Sequence, residues 1–184
     1  MGKSTTANMF EQLGCPVFDA DKVVHGLYDK DGAAVPLIRA VFPDAVKESR
    51  VDRRVLGAHM RADPLNLSVL ESFIHPMVAK ARTAFLETAA KHKAKIVVFD
   101  VPLLFETGGE AYVDKVAVVT APAHIQRKRV MSRPDMTAEL FETLLSRQIP
   151  DFEKRNRADF LIFTDKGLEY AREQVQSIII ELSR

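Results

Sequence analysis

The sequence predicts an α/β architecture: a parallel sheet with helices on both faces, in three layers, interrupted by a helical insertion. Three observations carry that reading. Apolar runs at Ile96-Val97-Val98-Phe99, Val116-Ala117-Val118-Val119 and Phe160 to Phe163 lack the alternation of a half-exposed sheet, so they suit strands covered on both faces. Long helical patterns separate these runs, as crossovers between parallel strands require. A mainly helical stretch, 35–93, lies between the strand stub Val17-Phe18 and the strand at Ile96. The expected division is a core of 1–34 and 94–184, with the insertion at 35–93.

Each element has its own signal. Ser4 to Leu13 reads as a helix with Ala7 and Phe10 on its apolar stripe, ended by Gly14 and Pro16. Val17-Phe18 runs as a short strand into Asp19-Ala20-Asp21, and Lys22 to Tyr28 is a second helix with Val23, Val24 and Leu27 inward. Asp29 to Ala33 is a turn. Helices are expected over Val35 to Phe42 and Asp52 to Met60, and Asp63-Pro64 has the cap-then-proline order of another start. His75-Pro76 is expected to restart a long helix reaching about Lys91, with Val78, Ala81, Phe85 and Ala89 on one face. Strands follow at Lys95 to Val101 and Lys115 to Thr120, then helices at Ala123 to Ser132 and Thr137 to Gln148. The last strand is Phe160 to Phe163. The last helix, Leu168 to Leu182, turns Leu168, Ala171, Val175, Ile178, Ile179 and Leu182 inward.

Composition excludes several function classes. The 184 residues are 47% hydrophobic and 28% charged, an ordinary globular balance. With 26 Lys plus Arg against 25 Asp plus Glu, the net charge of +1 argues against a general grip on nucleic acid. One cysteine, Cys15, precludes an internal disulfide or a multi-cysteine metal site, and its place after an apolar helix end suggests a buried, inert thiol. No apolar run approaches the ~20 residues that span a bilayer, and no signal-peptide pattern follows Lys3, so the cytoplasm is expected. The five histidines show no metal-ligand spacing.

The chemistry-bearing residues begin at once. Gly2-Lys3-Ser4-Thr5 is the C-terminal half of the P-loop pattern G-x-x-x-x-G-K-[ST], placed where it opens an amphipathic helix. Backbone N–H groups and the helix dipole there can hold phosphate oxygens; Lys3 would reach the β- and γ-phosphates and the Ser4 hydroxyl would ligate Mg²⁺. A working loop also needs an apolar strand and a first glycine upstream. Met1 suits the variable position before the loop's last glycine, so the expectation is that Met1 is an internal residue and that the sheet's first strand is missing from this chain.

Asp19 and Asp21 follow a strand's C-terminal end, where open α/β sheets place their sites, and in extended chain they share a face. A kinase needs such a carboxylate to orient an acceptor hydroxyl and take its proton. The competing reading is that Asp21 caps the helix from Lys22. Asp100 ends an apolar strand, a position that holds Mg²⁺ directly or through water in many P-loop proteins; it also reads simply as a strand terminator before Pro102. Arg129 and Arg133, four apart on one helical face, suit a clamp on phosphate oxygens, or equally a solvated basic helix.

Together these residues resemble the dephospho-coenzyme A kinases. The marks are Gly2-Lys3-Ser4-Thr5, Asp19-Ala20-Asp21 with His25, and Ile74-His75-Pro76-Met77-Val78. They continue with Asp100-Val101-Pro102-Leu103-Leu104-Phe105-Glu106, Gln126 to Arg133, Arg147-Gln148 and Ala158-Asp159. The resemblance runs from Gly2 to about Gly167. It implies a P-loop three-layer fold and transfer of the ATP γ-phosphoryl group to the ribose 3′-hydroxyl of dephospho-coenzyme A, the last step of coenzyme A synthesis.

On that resemblance Asp21 is the base, and Gly2, Lys3, Ser4 and Thr5 form the nucleotide loop. Arg129 and Arg133 lie on a lid of helices at about 123–148, with Arg129 the one that touches ATP phosphates. Ser4 and Asp100 serve Mg²⁺. The 35–93 insertion binds the acceptor, with His75, Pro102 and Leu103 lining its pocket. The partners implied are ATP and dephospho-coenzyme A, with no nucleic acid or membrane; oligomeric state stays open.

Two departures accompany the resemblance: the missing upstream strand and loop glycine, and Phe163-Thr164-Asp165-Lys166-Gly167 where the family often has an asparagine. A mid-sheet strand leaves unpaired ladders when absent, at about 1–3 kcal/mol for each buried group. Residues 1–184 on their own are therefore expected to be insoluble or inactive, with ATP binding restored by an added apolar strand and glycine-rich loop. Two rival functions remain at the level of sequence: another small-molecule P-loop kinase, such as one acting on nucleoside monophosphates, and a non-catalytic remnant that binds a partner.

Overall fold

In the computed structural model, which describes residues 2–134 and 136–184, the chain begins with helix α1 (Lys3–Gln12), strand β1 (Val17–Asp19) and helix α2 (Ala20–Tyr28). Helix α3 (Val35–Val41), the hairpin β2 (Val46–Lys47) and β3 (Arg50–Val51), α4 (Arg53–Ala62) and α5 (Pro64–Lys91) follow. The rest comprises β4 (Val98–Asp100), β5 (Ala117–Thr120), α6 (Ala123–Met131), α7 (Ala138–Ser146), α8 (Asp151–Arg157), β6 (Phe160–Phe163) and α9 (Leu168–Leu182). The expectation about Met1 lies outside the described residues. No helix among them is long and apolar enough to cross a membrane.

Two compact units emerge, one of 1–17 with 94–184 and one of 18–93. In the first, β5 and β6 pair in parallel from Ala117 opposite Phe160 to Thr120 opposite Phe163. Side chains alternate across this ladder. Val119 and Ile162 face a core with Met9 and Phe10 of α1, Cys15, and Ala171, Val175 and Ile178 of α9. Val116, Val118 and Leu161 face the opposite side, against Leu104, Phe105, Val113 and Ile149. Both faces are covered, which is why these strands read as unbroken apolar runs. Burial raises the Cys15 thiol pKa, as suits the inert cysteine expected.

β4 and β5 are shorter than the predicted strands at Lys95 to Val101 and Lys115 to Thr120. Ladder hydrogen bonds define a strand, and among the described residues β5 has one neighbour, β6. A groove of about 400 Å³ is lined by Ala7, Phe10, Ile96, Val98, Ala117 and Val119, among others. Ile96 and Val97 are half-buried beside it without strand geometry. The Val98 N–H donates to the Pro16 carbonyl (2.9 Å), which ties β4 to the turn after α1. At the helical end, Leu168 and Leu182 are exposed rather than inward, because they sit on the first and last residues of α9, beyond its buried stripe.

The second unit is built around Ala34, Val35, Ile38, Phe42, Leu56 and Ile74. Val24, Leu27 and Tyr28 of α2 pack on this cluster, so residues 18–34 join 35–93 rather than the nucleotide core the sequence assigned them to. Gly32 is required there: a Cβ would lie 2.3 Å from the Leu27 carbonyl oxygen. Glu48 and Ser49 take positive φ (47° and 59°) between β2 and β3, the backbone of a two-residue hairpin turn.

His75-Pro76 does not start a helix. α5 continues through Pro76 for 28 residues. Proline costs the hydrogen bond its N–H would have made to Ser72, but Leu70 and Ile74 before it and Met77 and Val78 after it anchor in one cluster. Burial on both sides outweighs the local break. The expected face of Val78, Ala81, Phe85 and Ala89 is the less exposed one, and the Phe85 ring lies 5.4 Å from that of Phe18.

Asp19, not Asp21, caps α2: its carboxylate accepts from the Lys22 N–H (2.9 Å), and Asp21 sits exposed in the first helical turn. The two carboxylates therefore do not share the face that an extended chain would give them. Replacing Asp19 with Ala should cost about 1 kcal/mol by urea unfolding, whereas Asp21→Asn should cost less than about half of that.

Candidate active site

α1 begins at Lys3 with Gly2 as its cap residue, at φ +98°, and no side chain bonds the first-turn N–H groups. No acidic residue lies in that turn. Among the described residues, no side chain claims the donors at the positive end of the helix, and the Ser4 and Thr5 side chains are exposed beside them. The backbone turns here because glycine alone reaches that φ without strain.

Lys3 does not extend into solvent. Its ammonium pairs with the carboxylate of Asp100 at the C-terminal end of β4. The Asp100 side chain is only 4% exposed. A carboxylate so enclosed needs a cationic partner, and Lys3 supplies it. Asp100 is thus more than a strand terminator.

Arg129 reaches the same region from α6. Its guanidinium donates to the Thr164 hydroxyl (2.9 Å) and to the Thr164 carbonyl oxygen (2.7 Å). Thr164 follows β6 and is pinned to β5, its N–H and its hydroxyl both bonding the Thr120 carbonyl (3.1 and 3.3 Å). A methyl group added at Gly2 would lie 3.6 Å from Thr164 Cγ2. Gly2, Lys3, Asp100, Thr164 and Arg129 therefore gather at the C-terminal ends of the strands, where open α/β sheets bind ligands.

Arg133 does not share a helical face with Arg129. α6 ends at Met131, and Arg133 lies beyond its cap, directly before Pro134. The pre-proline position disfavours helical backbone, which explains the early stop. Pro102 and Leu103 lie exposed in the turns after β4. Asp21 and His75 belong to the second unit; both are exposed, Asp21 in the first turn of α2 and His75 in mid-α5.

Sequence reasoning missed two features. Thr164 carries no motif signal beyond its place after a parallel strand. Glu106 was noted only as a mark of resemblance, yet it makes a nearly buried ion pair with Lys154 (2.7 Å, side chains 13% and 11% exposed) and accepts from the Ile149 N–H (2.9 Å). That pair fastens the chain leaving α7 to the segment after Asp100.

Comparisons with known proteins identify the family. The family model described as dephospho-CoA kinase matches residues 1–169. The chain belongs to the dephospho-CoA kinase family. Dephospho-CoA kinases from Mesorhizobium japonicum and Agrobacterium fabrum are 52% and 50% identical over 99% of this chain, covering 91% and 93% of the relatives. The dephospho-CoA kinase from Campylobacter jejuni superposes with a TM-score of 0.72 at 27% identity, over 99% of this chain and 92% of that one. A crystal structure from Thermus thermophilus gives 0.81 at 30% identity, over 98% and 91%. Membership makes the chain a phosphotransferase of the P-loop α/β class, so the reading of a non-catalytic remnant falls away.

Burial alone would raise the Glu106 pKa; the bonds from Lys154 and the Ile149 N–H outweigh it and hold the carboxyl below its ordinary 4.5. A folded-state pKa below the unfolded one adds stability above the ordinary range, and that stability is lost as pH falls through the lowered value. Urea midpoints of the wild type should therefore decline below pH 4.5. In Glu106→Gln the decline should be shallower, from a lower starting stability at neutral pH.

Proposed function

We propose that this chain transfers the γ-phosphoryl group of ATP to the ribose 3′-hydroxyl of dephospho-coenzyme A, giving coenzyme A and ADP in the cytoplasm. The observation that carries the reading is the Lys3–Asp100 ion pair beside the uncapped start of α1, which sets a mobile cation, a buried carboxylate and a row of N–H donors at one point.

In this reading the N–H groups of Gly2 to Thr5 hold phosphate oxygens, and Lys3 exchanges Asp100 for the β- and γ-phosphates. The bond from the ribose oxygen to Pγ forms as the bond from Pγ to the β–γ bridging oxygen breaks, and Asp21 takes the hydroxyl proton. Arg129 and Arg133 stabilise charge spreading over the equatorial oxygens. His75, Pro102 and Leu103 serve the acceptor, which the helical insertion at 35–93 binds.

The donors present fit Mg²⁺. A carboxylate and a hydroxyl, Asp100 and Ser4, make the small protein contribution that this ion takes when phosphates and waters fill its other positions. Bound there, it would neutralise charge on the transferring group. The Lys3 ammonium supplies positive charge to Asp100.

A phosphorylation assay with alternative acceptors tests the proposal. Dephospho-coenzyme A should be strongly preferred over nucleoside monophosphates, and Asp21→Asn should lower kcat by about a hundredfold or more at unchanged ATP affinity. Equal turnover of a nucleoside monophosphate would overturn the acceptor assignment.

A further inference from the structure

Thr164 belongs to none of the motifs that carry the family reading, yet it connects two of them. Its carbonyl and hydroxyl oxygens together accept two of the five N–H donors of Arg129. The same side chain lies beside Gly2, its Cγ2 3.6 Å from where a Cβ there would stand, and its hydroxyl also lies 3.3 Å from the Thr120 carbonyl oxygen. The residue is 9% exposed, whereas Arg129 is a long, exposed side chain on a helix of nine residues. A rigid buried residue therefore holds a flexible surface one.

We propose that Thr164 is a positioning residue: it holds the Arg129 guanidinium beside Gly2 before nucleotide arrives, with three N–H donors left for phosphate oxygens. The inference rests on the assignment of Gly2 and Arg129 to ATP phosphates. Holding a long side chain near its working place lowers the ordering cost of binding. Both contacts of the guanidinium are charge-assisted hydrogen bonds, the stronger kind.

The test compares Thr164→Val with Thr164→Ser in the full chain. Valine keeps the methyl that packs on Gly2 and removes both bonds of the hydroxyl; serine keeps the hydroxyl. The first readout needs no nucleotide: NMR of ¹⁵N-labelled arginine side chains, with Arg129 assigned through Arg129→Lys. Rotation of the Arg129 guanidinium should be hindered in the wild type and in Thr164→Ser, and measurably faster in Thr164→Val, which keeps only the bond to the backbone carbonyl. Unhindered rotation in the wild type, or no change in Thr164→Val, overturns the proposal.

The second readout is kinetic. Thr164→Val should raise KM for ATP by about five- to tenfold with kcat within about twofold, and Thr164→Ser should stay near wild type. Impairment of Thr164→Ser with Thr164→Val near wild type would mean that packing at Gly2, and not the hydroxyl, is what matters, and would overturn it too. A wild type with hindered Arg129 that binds no ATP would defeat the nucleotide assignment, and with it the role given to Thr164 in binding, while the hold on Arg129 would stand as a structural contact.

Discussion

The ion pair between Lys3 and Asp100 is the constraint around which the rest of the site is arranged. It joins the first turn of a helix to the last residue of a strand, 97 positions away in sequence. An enclosed carboxylate is tolerable only with a partner, and removing one member of such a pair costs far more than the pair contributes. Asp100 therefore pulls the lysine, and with it the glycine turn of α1, to the strand ends. In the function proposed, the half-exposed lysine moves to a phosphate while another cation reaches the carboxylate.

Around that contact the fold uses buried apolar layers to hold polar groups in place. Ile162 and Val175 are fully enclosed between α1, α9 and the β5–β6 ladder. Just past the ladder's end, Thr164 turns from packing to hydrogen bonding. The Thr120 hydroxyl, at the same level, donates to Asp151 in the first turn of α8 (2.8 Å). Glu106 ties α8 through Lys154 and the chain leaving α7 through the Ile149 N–H. A rigid floor with a lightly anchored arm above it suits chemistry that depends on positioning and charge.

Much of this was legible in the sequence, for reasons that particular residues make plain. Val116 to Val119 and Phe160 to Phe163 are continuous apolar runs because both faces of their ladder are covered. Asp63-Pro64 announced α5 through capping chemistry. Where tertiary packing decides, the local signals misled: Pro76 reads as a boundary, but apolar anchors on both sides carry the helix past it. The β2–β3 hairpin lacked an Asn-Gly signal, its turn being made by Glu48 and Ser49 in left-handed conformations. Asp19 and Asp21 could not be told apart as caps, since the choice depends on where α2 begins. The pairing of Lys3 with Asp100 and of Arg129 with Thr164 is long-range, and no periodicity encodes it.

A crystal structure of the protein with magnesium and a non-hydrolysable ATP analogue tests the central claim most directly. The account predicts phosphate oxygens on the N–H groups from Gly2 to Thr5, with Lys3 Nζ moved off Asp100 and onto the β- and γ-phosphate oxygens. Analogue bound away from Gly2, with the Lys3–Asp100 pair intact, would contradict it.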